Sequence, residues 1–395
     1  MNIELCNFAT RLRELISHSQ FAIPHSQFNE LALELFALQF QNNSAYRKIC
    51  EVRKLTPSIV EHWTQIPFVP TAAFKELELT SLAPNERAAV FHSSGTTEQK
   101  PSRHFHCAKS LEVYETSLWN WFEKNCELRI ANCELLILTP PPKFTPHSSL
   151  VHMFEIFRQK FGARESAFIG KVDADGSWIL DFAAALAALN PSPVTRHSLL
   201  LLGTAFSFVH LLDFLAEKNL KFQLPENSRV METGGYKNRS RSLPKEELHA
   251  LIEKFLGVPR KNIICEYGMS ELSSQAYSVA SDEWRVAGKI GATHHSSLTT
   301  HHFSFPPWAR VQIISPETGR EVSDGETGLI RVFDLANLFS VAAIQTEDLG
   351  IRRGDGFELI GRVQLAEPRG CSLMNTDTNF TNFHEGKQKN HPVNL

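Results

Sequence analysis

No charge of one sign dominates this chain. Forty Lys and Arg stand against 43 Asp and Glu, a formal net charge of -3, so the balance points neither to nucleic acid nor to an anionic membrane surface as a partner. The seven cysteines, Cys6, Cys50, Cys107, Cys126, Cys133, Cys265 and Cys371, contain no Cys-x-x-Cys pair and no zinc-ligand spacing. An odd, scattered set of this kind predicts a reducing, cytoplasmic compartment. A secretory signal is lacking, because Glu4 stands ahead of any apolar run and the first residues read as an amphipathic helix. Long apolar runs are lacking too. The most apolar stretch, Leu199 to Leu212, is too short for a membrane span and is interrupted by Gly203, Thr204, Ser207 and His210. There is no internal repeat and no coiled-coil heptad.

What is present is enough chain, 395 residues, for a sizeable core in more than one subdomain. Twenty-eight phenylalanines serve either a core or a pocket for an aliphatic or aromatic tail. The first 80 or so residues read as helical. Phe28 to Phe40 carries apolar residues at helical spacing, and "TPSIVEHW" opens with a Thr-Pro signal for a further helix. From Ser110 helices and strands alternate: a helix to Cys126, a strand "ELLILTP", a helix after Ser148-Ser149, a strand "LLLLGTA" passing into a helix, then "SRVMETGGYKNRS", "KEELHALIEKFLG" and "IICEYGMSE". This alternation predicts an α/β architecture with buried, largely parallel strands. From about Trp284 the texture changes to short strands and turns, as in "ARVQIISPETGREVSDGETGLIRVFDL". The tail from Asn375 is polar and reads as disordered.

One stretch concentrates hydroxyls. Ser93-Ser94-Gly95-Thr96-Thr97 reads, by itself, either as a surface turn or as a phosphate-holding loop. In the second case backbone amides converge on an anion, Gly95 permits close approach, and the hydroxyls meet phosphate oxygens or Mg²⁺. It is not the P-loop of the NTPases, which requires a second glycine followed by Lys-Ser/Thr.

Four motifs follow one another in a fixed order: "SSGTT", "TGGYK" at Thr233 to Lys237, "CEYGMSE" at Cys265 to Glu271, and "QTEDLG" with "ELIGR" at Gln345 to Arg362. Together they resemble the adenylate-forming superfamily, which activates carboxylic acids with ATP. "IPFVPTAAFK", "LLLLGTAFSFVHLLD", "PPWARV" and "RGCSL" (Arg369 to Leu373) narrow the resemblance to the acyl-protein synthetase (LuxE) family, ATP-dependent fatty-acid:protein ligases of fatty-acid reductase complexes. The likeness extends over nearly the whole chain up to Leu373.

The resemblance implies a site, and the chemistry suits it. Ser93, Ser94, Gly95, Thr96 and Thr97 would hold the β- and γ-phosphates, with Thr96 in a catalytic role. Gly234 and Gly235 would let the main chain lie against the nucleobase, their other reading being a tight turn. Tyr267 would stack adenine beside Gly268, and Ser270 and Glu271 would supply oxygen ligands to Mg²⁺, Glu271 acting in catalysis. Asp348 would accept both ribose hydroxyls and Arg362 would complete the sugar and phosphate contacts; the alternative for Asp348 is a solvated loop carboxylate. Cys371 would attack the acyl adenylate as a thiolate, favoured by Arg369, unless it is simply a small buried residue.

Two departures from the family pattern occur: Glu98 stands where the loop usually continues with glycine, and Glu347 precedes Asp348 where glycine is usual. Larger members of the superfamily add a mobile domain with a catalytic lysine, whereas only 24 residues follow Cys371. Lys75, Lys100 and Lys237 are the possible substitutes. The fold expected is therefore an α/β, adenylate-forming-enzyme-like region of helix-covered, mostly parallel sheets, with a smaller β-rich subdomain and a truncated or vestigial C-terminal domain. The divisions fall at 1–85 (helical), 86–283 (ATP- and acyl-binding core), 284–345 (β-rich), 346–374 (ribose and acyl-acceptor segment) and 375–395 (tail). The activity expected is conversion of a long-chain fatty acid and ATP to acyl-AMP, then acyl transfer to Cys371. Delivery would be to a fatty-acyl reductase, in a hetero-oligomeric complex that can include an acyltransferase subunit. A ligase acting on coenzyme A or a carrier thiol, and a non-catalytic scaffold subunit, are the alternatives. His294, His295, His301 and His302 do not form a metal motif, since adjacent histidines diverge and no Cys, Asp or Glu accompanies them.

Overall fold

Four consecutive leucines, Leu199 to Leu202, lie at the centre of a sheet buried on both sides. In the computed structural model their strand, Ser198–Thr204, runs parallel to Cys133–Ile137 on one side and to Arg229–Thr233 on the other. Alternate side chains serve opposite layers. Leu200 and Leu202 join Ile137, Met231 and Ile264 beneath the helices Ala108–Cys126 and Ser149–Phe161. Leu199 and Leu201 join Leu136, Val230 and Ile263 beneath Ala205–Glu217 and Lys245–Leu256. Both faces need apolar residues, which is why the strand reads as an unbroken run rather than an alternation. Each leucine so buried contributes about 2 kcal/mol by removal from water.

The structure describes residues 2–362 except 19–22, 94–99, 127–132, 163–165, 191–196, 235–239, 280–284, 287–288 and 291–301. Among the described residues the first sheet has six strands, in the order Ala276–Val279, Ile263–Tyr267, Arg229–Thr233, Ser198–Thr204, Cys133–Ile137, Ala167–Phe168. All neighbours are parallel except the pair Ile263–Tyr267 and Ala276–Val279. Ser148 Oγ caps the Ser149–Phe161 helix by accepting from Val151 N, and Gly162 ends it at φ 62°. The fold class is the one the alternation predicts.

A second, antiparallel sheet is ordered His302–Phe303, Gly356–Arg362, Ala343–Arg353, Thr327–Asp334, Ala309–Ile314. The short strand Val69–Pro70 pairs in parallel with Ile344 and Gln345. Buried Gln39 of the helix His25–Asn42 adds a further tie, donating to Asn337 O (2.7 Å) and accepting from Ala342 N (3.0 Å). The two sheets meet where Tyr277 and Ser304 exchange backbone hydrogen bonds. Phenylalanines such as Phe8, Phe28, Phe36, Phe74, Phe122 and Phe154 are fully buried core residues.

The segment "TPSIVEHW" does not form the expected helix. Residues 57–59 make a turn and Trp63–Gln65 a short 3₁₀ turn capped by His62. Ile59 is exposed while Val60 is buried, so the segment presents no continuous apolar stripe to hold a helix against the core.

Candidate active site

The parallel strands end together at Thr204, Thr233 and Tyr267. Such carboxyl ends are where open α/β sheets hold ligands, and two hydrogen-bonded chains converge there.

The first chain starts at the base of the hydroxyl-rich loop. The hairpin of Ala89–His92 and Arg103–His106 closes where Ser102 N donates to Ser93 Oγ (2.9 Å) and Ser93 N to Ser102 O (3.4 Å). Ser94, Gly95, Thr96 and Thr97 lie outside the described residues. Ser102 Oγ stands 3.4 Å from Ser270 Oγ, which donates to Glu271 Oε2 at 3.0 Å. Two further partners hold this turn. His104 Nδ1 donates to Ser270 O (2.7 Å), and burial keeps the ring neutral by pushing its pKa down to about 4. Asn337 Nδ2 donates to Glu271 O (2.8 Å). Ser270 and Glu271 therefore bring two adjacent hard oxygens next to the loop's base, a donor set suited to Mg²⁺.

The second chain joins the two sheets. Tyr267 OH donates to Asp348 Oδ2 at 2.9 Å, and Arg362 Nε lies 3.5 Å from Asp348 Oδ1. Asp348 and Arg362 are cross-strand partners in the antiparallel sheet, and Asp348 N donates to Thr346 Oγ1. The ring of Tyr267 is buried, edge-on to Phe357 at 5.3 Å, with Phe303 and Phe305 around it. Burial, then the Asp348 carboxylate, pushes its phenol well above the ordinary value, so it stays a donor.

Both chains share the turn from Tyr267 to Glu271. Behind it sits Glu266, a residue that the motif reading passed over. It accepts from Thr233 Oγ1, and its Oε1 lies 2.3 Å from where a Cβ on Gly268 would be. Any side chain at 268 would have to displace that carboxylate. Gly234, at φ +69°, follows Thr233 in the left-handed region that suits glycine. Thus Ser93, Gly234, Tyr267, Gly268, Ser270, Glu271, Asp348 and Arg362 are all connected. Gly235, Lys237, Cys371, His294, His295 and His301 lie outside the described residues. Lys100 is tied to Glu76 at 3.7 Å, and Lys75 is on the short helix Ala73–Glu76. A carboxylate inside the apolar strand "IICEY" was the available signal for Glu266; His104 and Asn337 had none, since their partners are distant in sequence.

A model of the family described as acyl-protein synthetase, LuxE, matches residues 19–380. The long-chain-fatty-acid–luciferin-component ligase of Vibrio harveyi is 24% identical over 374 residues, covering 89% of this chain and 87% of that one. Its namesake from Aliivibrio fischeri is 24% identical over 367 residues, covering 87% and 86%. Among solved structures, an open conformation of 2-hydroxyisobutyryl-CoA ligase in complex with 2-HIB-AMP and CoA superposes with a TM-score of 0.63 at 12% identity, over 87% of this chain and 71% of that one. The fold is accordingly that of the adenylate-forming ligases. With a family model spanning nearly its whole length and the motifs joined as described, the chain belongs to the LuxE acyl-protein synthetase family and is a ligase.

Proposed function

We propose that this ligase activates a long-chain fatty acid with ATP and then carries the acyl group on Cys371. The observation that supports this most is the junction at Tyr267 to Glu271, which links the base of the hydroxyl-rich loop to Asp348 and Arg362. A nucleoside triphosphate laid along it would meet acceptors for its ribose at one end and donors for its phosphates at the other. Asp348 and Arg362 take the ribose, Tyr267, Gly268, Gly234 and Gly235 flank the adenine, and Ser93, Ser94, Gly95, Thr96 and Thr97 receive the phosphates. Ser270 and Glu271 would hold Mg²⁺, which would neutralise phosphate charge as pyrophosphate departs. The fatty-acid carboxylate attacks the α-phosphorus, the bond to the β,γ-pyrophosphate breaks, and acyl-AMP results.

In the second step the Cys371 thiolate attacks the acyl carbonyl, AMP leaves, and the thiol proton has already passed to solvent. The other six cysteines support this choice by their surroundings: Cys50, Cys107, Cys126, Cys133 and Cys265 are buried and Cys6 partly so. Burial pushes the Cys50 thiol up to about 11 and the Cys133 thiol to about 12, leaving almost no thiolate near neutrality. A fatty-acyl reductase would then take the acyl group, in a complex that can include an acyltransferase subunit. Among the described residues no helix is long and apolar enough to cross a membrane.

With labelled fatty acid and ATP but no coenzyme A, the protein should take up label in a bond that neutral hydroxylamine cleaves. Cys371→Ser should lose that label completely and retain ATP–pyrophosphate exchange. Normal labelling of the serine variant, or label that appears only on added coenzyme A, overturns the proposal.

A further inference from the structure

On the face of the first sheet covered by Ala205–Glu217 and Lys245–Leu256, just below Gly234 and the strand end at Tyr267, three ligand-type side chains from three elements meet. Glu232 and Cys265 are register partners on neighbouring strands, and His249 comes from the helix Lys245–Leu256 that covers them. Their exposures are 4%, 1% and 1%. His249 Nε2 lies 3.6 Å from Glu232 Oε1 and 3.9 Å from Cys265 Sγ, and all three ligand atoms fall within 4.8 Å of one another. A tetrahedral Zn²⁺ with bonds of about 2.3 Å to sulfur and about 2.0 Å to nitrogen and oxygen separates its ligand atoms by roughly 3.3–3.6 Å. The His249–Glu232 separation exceeds hydrogen-bonding distance between nitrogen and oxygen, the His249–Cys265 separation is that of a long hydrogen bond to sulfur, and both come within a few tenths of an ångström of the zinc spacing.

We propose that Glu232, His249 and Cys265 form a zinc site that fastens the two strands to the covering helix. One thiolate and one carboxylate balance the charge of the ion, and a neutral imidazole supplies the third ligand, a set typical of zinc rather than of Mg²⁺ or Ca²⁺. Lys245 is the competing cation, with Nζ 3.6 Å from the same Glu232 Oε1. Its side chain is one-third exposed and lies over the Phe303 ring at 5.0 Å, so it can swing outward when the ion enters, leaving the fourth position to water. Chain order conceals the set: no two of the ligands form the close Cys-Cys or His-His pair that marks a zinc finger, and they are assembled only by strand pairing and helix docking. The ion would set the distance between the turns after Thr233 and Tyr267, independently of which nucleotide or acyl group those turns serve.

The test uses the full chain. After equilibration with buffered Zn²⁺ and gel filtration, elemental analysis should find stoichiometric zinc. Co²⁺ in its place should give a thiolate-to-cobalt charge-transfer band in the near ultraviolet and the intense visible bands of four-coordination. Cys265→Ser should lose the charge-transfer band, His249→Gln should lower metal affinity at least about tenfold, and Lys245→Ala should retain the metal. Zn²⁺ at about 100 times its dissociation constant should raise the unfolding temperature of the parent by a few degrees and leave Cys265→Ser unmoved. Absence of zinc and of the cobalt bands in the parent overturns the proposal. A charge-transfer band that persists in Cys265→Ser overturns it equally, by placing the metal on another cysteine. Should Cys265→Ser not fold, the parent's cobalt spectrum and the affinity of His249→Gln decide.

Discussion

Glu232 and Glu266 are carboxylates on neighbouring strands, 4% and 7% exposed, yet they titrate in opposite directions. Register explains the first part of the difference. Cys265 pairs with Glu232 and Glu266 with Thr233, so successive residues place the two carboxylates on opposite faces of the sheet. Neighbours explain the rest. Burial raises both. On the face covered by the helix Lys245–Leu256, Lys245 and then His249 outweigh it, holding Glu232 down at about 2. On the other face Glu266 has the Thr233 hydroxyl and, among the described residues, no cation, and burial pushes it up to about 7, with Glu232 adding to the rise. Burial depth alone therefore does not decide the charge of a carboxylate; a cation within reach does.

The largest effect expected from this contrast is on the side without a cation. A carboxyl group whose folded value, about 7, lies above its unfolded value of about 4.5 makes the protein less stable as pH rises between the two. The loss amounts to about 3 kcal/mol and is complete above the folded value. Glu266→Gln keeps an oxygen for Thr233 and cannot ionise. Compared by urea unfolding, the variant should exceed the parent by about 3 kcal/mol at pH 8 and match it near pH 4.5. An equal difference at both pH values would mean that Glu266 titrates alike in the folded and the unfolded chain.

The opposite sign holds for Glu232, whose folded value is depressed. Its stabilisation is present above the unfolded value of about 4.5 and is lost as pH falls toward 2. Lys245→Met, in protein freed of metal with a chelator, leaves that carboxylate with less compensation and should cost about 2 kcal/mol at pH 8. The figure is below that for a fully buried pair because Lys245 is one-third exposed and water screens it. By pH 3 the cost should be clearly smaller, and it vanishes only below the folded value of about 2. If Lys245→Met behaves identically at both pH values, the lysine contributes packing against Phe303 rather than charge, and the contrast between the two carboxylates has another origin.

The same two strands show what could be read from sequence. The apolar runs that enter the first sheet, and the Ser148 cap ahead of a helix, are local patterns and correspond to observed elements. "TPSIVEHW" carries a local start signal without an apolar stripe behind it, and no helix forms there. The order of the site motifs was legible because each one is contiguous. Their supports were not. His104 meets Ser270 across 166 positions and Gln39 meets Ala342 across 303, and no window of sequence contains both partners. Glu232, His249 and Cys265 belong to this second class, since a strand pairing and a helix docking are both needed to bring them together.

The smallest effect expected concerns Tyr267, next after Glu266 in the chain. Its hydroxyl is protonated at any working pH, because burial and then Asp348 raise it, so Tyr267→Phe removes one donated hydrogen bond and no charge. The ring should keep its place among Phe303, Phe305 and Phe357. Asp348 keeps Arg362 at 3.5 Å and, being partly open to water, can replace the lost donor. The net loss should therefore be about 1 kcal/mol. If Asp348 receives the ribose, its orientation is what the phenol secures, and that loss should appear as a KM for ATP raised about fivefold with kcat little changed. The penalty should be larger for ATP than for 2′-deoxy-ATP, which offers Asp348 one hydroxyl fewer. A fall in kcat at constant KM would instead place the Tyr267–Asp348 bond in the chemical step and remove the support it gives to a ribose site at Asp348.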